Sequence, residues 1–372
     1  YPLRRQRQMC IRDRNKANDK FNKIKILIVG SGIIGKSNAF ELSNYGFDIT
    51  LVDQDEINNS SNAALGILMG TIYQKRNGRS WRLRQKSSEL WPKWIKILQS
   101  YNPKLKIDKP LFLLTNDLDK FKRLTKFVNS YPHDELEIVE ANSYNLNQIN
   151  KTFDGNEFQG VISHRDGRIN PKVLLDTLDI ALESKNIQTI NNKITKIEKN
   201  NKNWNLKLKT GEVLTSEIVI LCNSLDSLQL INPEIHKIKL KPVLGQAVEL
   251  HYEEKNTNFL TLPSPLNING KNLITINKET IIIGSTDEYN FKPDEFYINE
   301  LFEFLQKQPK WLNKKNISRR WFGIRSRPEG EPSPILKTLE KGLILCSGFY
   351  KNGILLAPAC SKWVLEEVKK HI

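Results

Sequence analysis

An apolar run, Ile26-Leu27-Ile28-Val29, leads straight into Gly30-Ser31-Gly32-Ile33-Ile34-Gly35, and this junction constrains the fold more than any other part of the chain. Four aliphatic residues in a row have the length and branching of a strand buried on both faces. A helical pattern follows, with Ala39, Phe40 and Leu42 on or near one face and Gly46 as its stop. A second strand, Ile49-Thr50-Leu51-Val52, then ends on the acid Asp53. Strand, glycine turn, helix, strand and terminal carboxylate, in that order, make a dinucleotide-binding βαβ unit.

Each residue type has a physical task there. Gly30 permits the tight turn out of the strand, Gly32 lets backbone approach a pyrophosphate, and Gly35 lets the helix pack close to the strand. Ile33 and Ile34 open the helix, whose N-terminus offers free N–H groups and a positive dipole end to phosphates. Asp53 stands where a carboxylate accepts hydrogen bonds from ribose hydroxyls. By itself the unit admits NAD as readily as FAD and specifies no reaction.

The formal net charge is +16, which raises the question of an acidic partner. The first 14 residues, with five Arg and one Asp, supply four of those charges. They contain no apolar h-region, so they do not read as a secretory signal. Residues 1–20 are read as a basic tail, disordered or non-native, and are left out of the fold reasoning together with Cys10. The remaining excess is mostly Lys, scattered among Asn and Ile, with no basic stripe interleaved with aromatics. Nucleic acid is therefore not the expected partner. No run approaches the ~20 apolar residues of a membrane span.

Four Cys give neither a disulfide framework nor a zinc pattern. Cys222, Cys346 and Cys360 are expected to pack as small apolar side chains, no metal site is expected, and a reducing, cytoplasmic compartment is the default.

Further along, residues 80–98 read as an amphipathic helix with Trp81, Leu90, Trp94 and Leu98 inward. Pro171 suits the first turn of a helix that continues through Leu174, Leu175, Leu178 and Ala181. Strands are expected at 187–190, 194–198, 204–209 and 218–222, and a β-rich stretch over 236–285. Helices are expected at 297–308 and 362–370, with buried strands at 321–325 and 343–346.

The segment Gly348-Phe349-Tyr350-Lys351-Asn352-Gly353-Ile354-Leu355-Leu356-Ala357-Pro358 is a glycine-bounded turn between a buried strand and a helix. It could set backbone N–H groups and a helix N-terminus against an electron-rich group. It resembles the Gly-His-Tyr/Phe-Arg-Asn-Gly-Ile-Leu-Leu-Ala-Pro motif of the FAD-dependent D-amino-acid oxidase superfamily, in its glycine oxidase branch. Other blocks are similar to that family: Gly35, Ala39, Leu42, Gly46, Ile49 and Asp53; Ser60 through Leu68; Asp166 through Pro171; Lys241 through Gln246; Gly284-Ser285-Thr286; and Gly323-Ile324-Arg325. The likeness covers residues 23–372.

The resemblance implies an α/β (α+β) fold. A Rossmann-like FAD-binding domain would be built from 23–100, 155–235 and 319–372, and an antiparallel, β-rich substrate-binding domain from 101–154 and 236–318. It implies an FAD enzyme that oxidises the C–N bond of a small amino acid or secondary amine, with oxygen as electron acceptor, in a branch linked in bacteria to thiamine biosynthesis. Arg325 is expected to hold the substrate carboxylate. Lys351 is placed with it at the reacting end. Ser60, Ser61, Leu65, Gly66 and Ile67 are expected beside the flavin, as are Gly348, Tyr350, Lys351, Asn352, Gly353 and Ile354. Ile194 would offer its backbone to the adenine. Arg327 is expected to lie off the site. Homo-oligomerisation is left open.

Departures from the family pattern bear on the substrate. Phe349 and Lys351 replace its His and Arg, Asn223-Ser224 replaces Ala-Gly, and Asn272 or Leu273 stands nearest to a Tyr that usually contacts substrate. Two alternatives follow: an FAD enzyme processing a carboxymethylaminomethyl group on tRNA uridine, or a flavin- or nucleotide-binding protein with altered catalysis.

Overall fold

The computed structural model describes residues 24–54, 59–252, 262–305 and 307–372. The basic tail lies outside them.

The architecture is mixed α/β, as expected, and rests on two large sheets. The first has six strands in the order Ile335–Glu340, Leu343–Ser347, Ile218–Leu221, Lys25–Val29, Asp48–Asp53 and Gln188–Asn191. Its pairings are parallel except between the two strands nearest the C-terminus. The strand Lys25–Val29 is central, and alternation along it sends residues to opposite faces. Ile26 and Ile28 join one core cluster with the helices, while Leu27 and Val29 join another under a three-stranded antiparallel sheet that includes Trp204, Leu206 and Leu208. Burial on both faces is why this strand reads as an unbroken apolar run.

The helix Ile33–Ser43 is buried nearly all round, which fits its lack of a polar face. It packs against the helices Pro171–Glu183 and Gly353–Lys370. Buried Glu41 accepts from Lys362 Nζ at 2.5 Å, joining the first of these helices to the last. A Cβ on Gly35 would lie 1.8 Å from Gly30 O, so the close contact between helix and turn requires glycine there.

The second sheet has eight strands, ordered Ile317–Pro328, Leu240–His251, Thr280–Gly284, Lys271–Thr275, Leu266–Ile268, Leu111–Thr115, Gln159–Ser163 and Leu136–Val139. Its pairings are antiparallel except between Leu266–Ile268 and Leu111–Thr115. The core on one side holds Phe112, Phe153, Phe158, Val248, Leu250, Ile283 and Phe302. The strand Gln159–Ser163, and Ile317–Pro328 from residue 319 on, fall in stretches expected to belong to the nucleotide-binding part. Gln159–Ser163 pairs along Leu111–Thr115, and Ile317–Pro328 pairs along Leu240–His251 from Pro328 back to Ile317. Hydrogen-bonding partners distant in sequence decide their membership.

Two helix expectations are corrected. The one expected at 297–308 is Glu295–Glu300. Asp294 caps it by accepting from Phe296 N, and Leu301 and Phe302 then turn into the core. The final helix runs Gly353–Lys370 instead of starting at 362. Pro358 removes one helical N–H, but burial of Ile354, Leu355, Leu356 and Ala357 on the core holds the helix through it. Among the described residues no helix is long and apolar enough to cross a membrane.

Candidate active site

A cavity of about 700 Å³ lies between the two sheets, within the roughly 300–1,000 Å³ usual for small-molecule and cofactor sites. Gly32, Ile33, Ile34, Ser60, Ser61, Leu65, Gly66 and Ile67 line it from the N-terminal part of the chain. Gly348, Tyr350, Lys351, Asn352, Gly353 and Ile354 line it from the C-terminal part, and Arg325 lines it from the large sheet. Gly30, Gly35, Asp53 and Ile194 do not line it.

Those four have other places. Gly30, at φ +101, makes the turn, and a Cβ there would lie 2.8 Å from Cys222 C. Gly35 packs beneath it. Asp53 Oδ2 accepts from Ser31 N and so secures the turn. The Ile194 side chain is buried in the same cluster as Val29 and Val52, so only its backbone could face a ligand.

Two helices bring their N-termini to the cavity, with Gly32 and Asn352 as N-cap residues, and neither is capped by its own side chain. Ile33 N donates instead to Ser61 Oγ at 2.9 Å. Helix N-termini present N–H groups and a positive dipole end, which suits a long cofactor carrying a diphosphate and an electron-rich ring. The Cβ-free backbone of Gly32 and Gly353 keeps the approach open. The residues present therefore fit FAD.

Three glycines of the large sheet lie under the cavity wall, and two of them, Gly245 and Gly323, line it. A Cβ on Gly284 would lie 3.0 Å from Leu65 Cδ1, one on Gly323 2.5 Å from Ala63 Cβ, and one on Gly245 1.9 Å from Arg325 Nη2. The segment Ser60–Leu65 and the Arg325 guanidinium can lie flat on the strands only because those side chains are missing.

Arg325 is held firmly. Its Nη1 donates to Thr286 O at 3.2 Å and to Asp287 Oδ1 at 3.0 Å, and its Nη2 donates to Ser285 Oγ at 2.6 Å. Burial lowers its pKa, opposed by Asp287 and Tyr350, yet a guanidinium stays protonated in such sites. Lys351 also donates to Asp287. Tyr350 adopts φ +53, a left-handed conformation costly for a non-glycine residue, and its N–H donates to Ser326 O at 3.0 Å. Burial, followed by Asp287, raises its pKa to about 12.

Arg327 does not line the cavity. Residues two apart on a strand share a face, and Arg327 lies on the same side as Arg325. It is at the exposed rim, where it donates to Tyr289 Oη and sits 5.4 Å from the Tyr350 ring. Between the two counterparts of the missing Tyr, Asn272 lines the cavity, whereas Leu273 is buried in the core. Asn267 Nδ2 donates to Asn272 Oδ1 at 2.8 Å.

The stretch Asp166-Gly167-Arg168 clamps the cavity wall. Asp166 accepts from the N–H groups of Gly70, Thr71 and Ile72 at 2.8, 2.9 and 2.8 Å, and Arg168 Nε donates to Leu65 O at 2.9 Å. Sequence reasoning missed Asp287, Gly245 and Arg84. The first immediately follows the Gly-Ser-Thr landmark, where an acid could have been noticed. Arg84 lay inside a stretch read as core helix.

A family model described as FAD dependent oxidoreductase (DAO) matches residues 25–367. The protein named Bifunctional protein ThiO/ThiG of Nostoc sp. (strain PCC 7120) is 25% identical over 346 residues, covering 90% of this chain and 51% of that protein. The chain thus spans about half the length of the curated relatives it matches. Glycine oxidase from Bacillus cereus ATCC 14579 has a TM-score of 0.78 at 19% identity, covering 94% of this chain and 95% of that one. Iminodiacetate oxidase from Chelativorans sp. BNC1 has a TM-score of 0.77 at 15% identity, covering 93% and 95%. At these identities the solved structures show a common fold.

Proposed function

The chain belongs to the DAO family of FAD-dependent oxidoreductases, and we propose that it oxidises the C–N bond of a small amino acid or secondary amine of the glycine, sarcosine or D-amino-acid type. Bound FAD would supply a two-electron acceptor for hydride from the substrate carbon beside nitrogen, and water would hydrolyse the resulting imine to an oxo acid and ammonia or an amine.

The protein's own part is binding and orientation. Gly30 and Gly35 would shape the turn that brings Gly32 and the first helical turn, at Ile33 and Ile34, to the pyrophosphate. Asp53 would hold the ribose, and the Ile194 backbone would meet the adenine. Ser60, Ser61, Leu65, Gly66 and Ile67 would flank the ring system on one side. Gly348, Tyr350, Lys351, Asn352, Gly353 and Ile354 would flank it on the other.

The observation that carries the reading is Arg325, a cation with a side chain only 14% exposed, lying on a glycine floor in the cavity wall. A planar guanidinium pairs with a carboxylate through two parallel bonds, which would orient an amino acid. Lys351 adds positive charge at the mouth. A substrate amine entering neutral needs no side-chain base. Oxygen would take the electrons onward and give peroxide. With Cys222, Cys346 and Cys360 free, a reducing compartment such as the cytoplasm fits.

The test is anaerobic reduction of the FAD-loaded protein with glycine, sarcosine and a panel of D-amino acids, followed by a peroxide assay in air. Bleaching of the flavin band by at least one of them is expected. A flavin that none of them bleaches would sink the proposal, and bleaching without peroxide would mark a dehydrogenase.

A further inference from the structure

Asp287 joins two cations that come from different parts of the chain. Arg325 lies on the strand Ile317–Pro328 of the large sheet, whereas Lys351 lies in the turn before the last helix. Asp287 Oδ1 accepts from Arg325 Nη1 at 3.0 Å, its Oδ2 accepts from Lys351 Nζ, and the Tyr350 hydroxyl is 3.4 Å from Oδ1.

The bonds around Arg325 define what remains for a ligand. A guanidinium has five N–H donors. Thr286 O, Asp287 Oδ1 and Ser285 Oγ engage three of them, all on Nη1 and Nη2. Among the described residues, Nε–H and one Nη2–H are left without a protein acceptor, two donors for one carboxylate. Lys351 already faces Asp287. Two cations and one internal anion leave a single net positive charge.

Resting on the assignment of Arg325 to the substrate carboxylate, we propose that Asp287 takes the place of a second acidic group on the ligand. The site then accepts amino acids with one carboxylate and rejects those with two. A second carboxylate brought toward Lys351 would meet the Asp287 carboxylate, and like charges placed together select against the wrong ligand. With that charge removed, Arg325 and Lys351 would form a pair of cations suited to a dicarboxylate. If Asp287 were only an anchor for the two cations, its loss would weaken every anion alike.

The experiment titrates FAD-loaded protein with acetate and with malonate, following the perturbation of the flavin absorbance. The original protein should bind acetate more tightly than malonate. In Asp287→Asn and Asp287→Ser the affinity for malonate relative to acetate should rise about tenfold or more, the effect of one charge-assisted hydrogen bond. The rise should shrink at high salt. An unmoved ratio in both variants overturns the proposal. So does tighter binding of malonate by the original protein, a result that requires no variant to fold. Arg325→Ala tests the underlying assignment separately. If acetate binding survives that change, Arg325 does not hold the carboxylate, whatever the Asp287 variants do.

Discussion

Arg84 Nη2 donates to Asn352 Oδ1 at 2.8 Å, so a side chain of the helix Gly78–Leu98 holds the N-cap residue of the last helix. Its Nη1 donates to Met69 O at 2.6 Å, and its guanidinium carbon is 3.9 Å from the centre of the Tyr73 ring. Arg84→Met would keep much of the bulk and leave two acceptors without this partner, at about 1–3 kcal/mol each. FAD should be retained less tightly, measured as flavin released on dilution, while the far-ultraviolet circular dichroism stays the same. Unchanged retention would show that the tether does not shape the cofactor site.

Gly245 gives a way to move Arg325 without removing it. A Cβ at 245 would collide with Nη2, the far end of a flexible side chain, and not with backbone. Gly245→Ala should fold and bind FAD, yet KM for a carboxylate-bearing substrate should rise about tenfold or more, the loss of one charge-assisted contact. Steady-state kinetics beside a flavin titration would separate the two effects. A normal KM would mean that the guanidinium position is unimportant.

Arg325→Lys keeps a charge and loses the planar fork. For a substrate with a carboxylate, kcat/KM should fall roughly a hundredfold, equivalent to about 2.7 kcal/mol at 1.36 kcal/mol per decade. An amine without a carboxylate should lose much less. Equal losses for both would speak against carboxylate pairing.

Asp166→Asn should loosen the cavity wall. The variant places an amide where a carboxylate receives three backbone N–H groups. A loss of about 1–3 kcal/mol is expected, read as a lower midpoint in urea unfolding. A midpoint within error of the original would remove the clamp from the account of this wall.

Tyr350 carries a pH prediction. Burial, then Asp287, pushes its pKa up to about 12, so its hydroxyl stays protonated across the whole working range of an enzyme. Any alkaline limb of the kcat profile below that value belongs to another group. Tyr350→Phe should leave the limb where it is. A limb that moves or disappears in this variant would contradict the assignment.

The unit from Lys25 to Asp53 was legible because its pattern is local. Strand, turn, helix and acid each follow from neighbouring residue types. The extent of the large sheet was not, because nothing within Gln159–Ser163 or Ile317–Pro328 names its distant hydrogen-bonding partner. The turn at 348–353 was visible from its glycines and residue order. The true start of the final helix was hidden by Pro358, a breaker by propensity that the packing of its neighbours overrides. Arg325 was chosen by position in a strand motif. Asp287 gained its importance only when Arg325 and Lys351 converged on it, and no sequence spacing encodes that meeting. Arg84 was hidden in the same way, by an amphipathic pattern that correctly announced a helix and said nothing of Asn352.

The two helix N-termini that face the cavity lie far apart in sequence, at Ile33 and Gly353. During synthesis the glycine turn at 30–35 is therefore made long before the wall that completes it. A nascent chain that has emerged only through the large antiparallel sheet has half a cradle and nothing to close it. Capture of the cofactor therefore waits until the chain has been made through residue 353 and the helix that follows it.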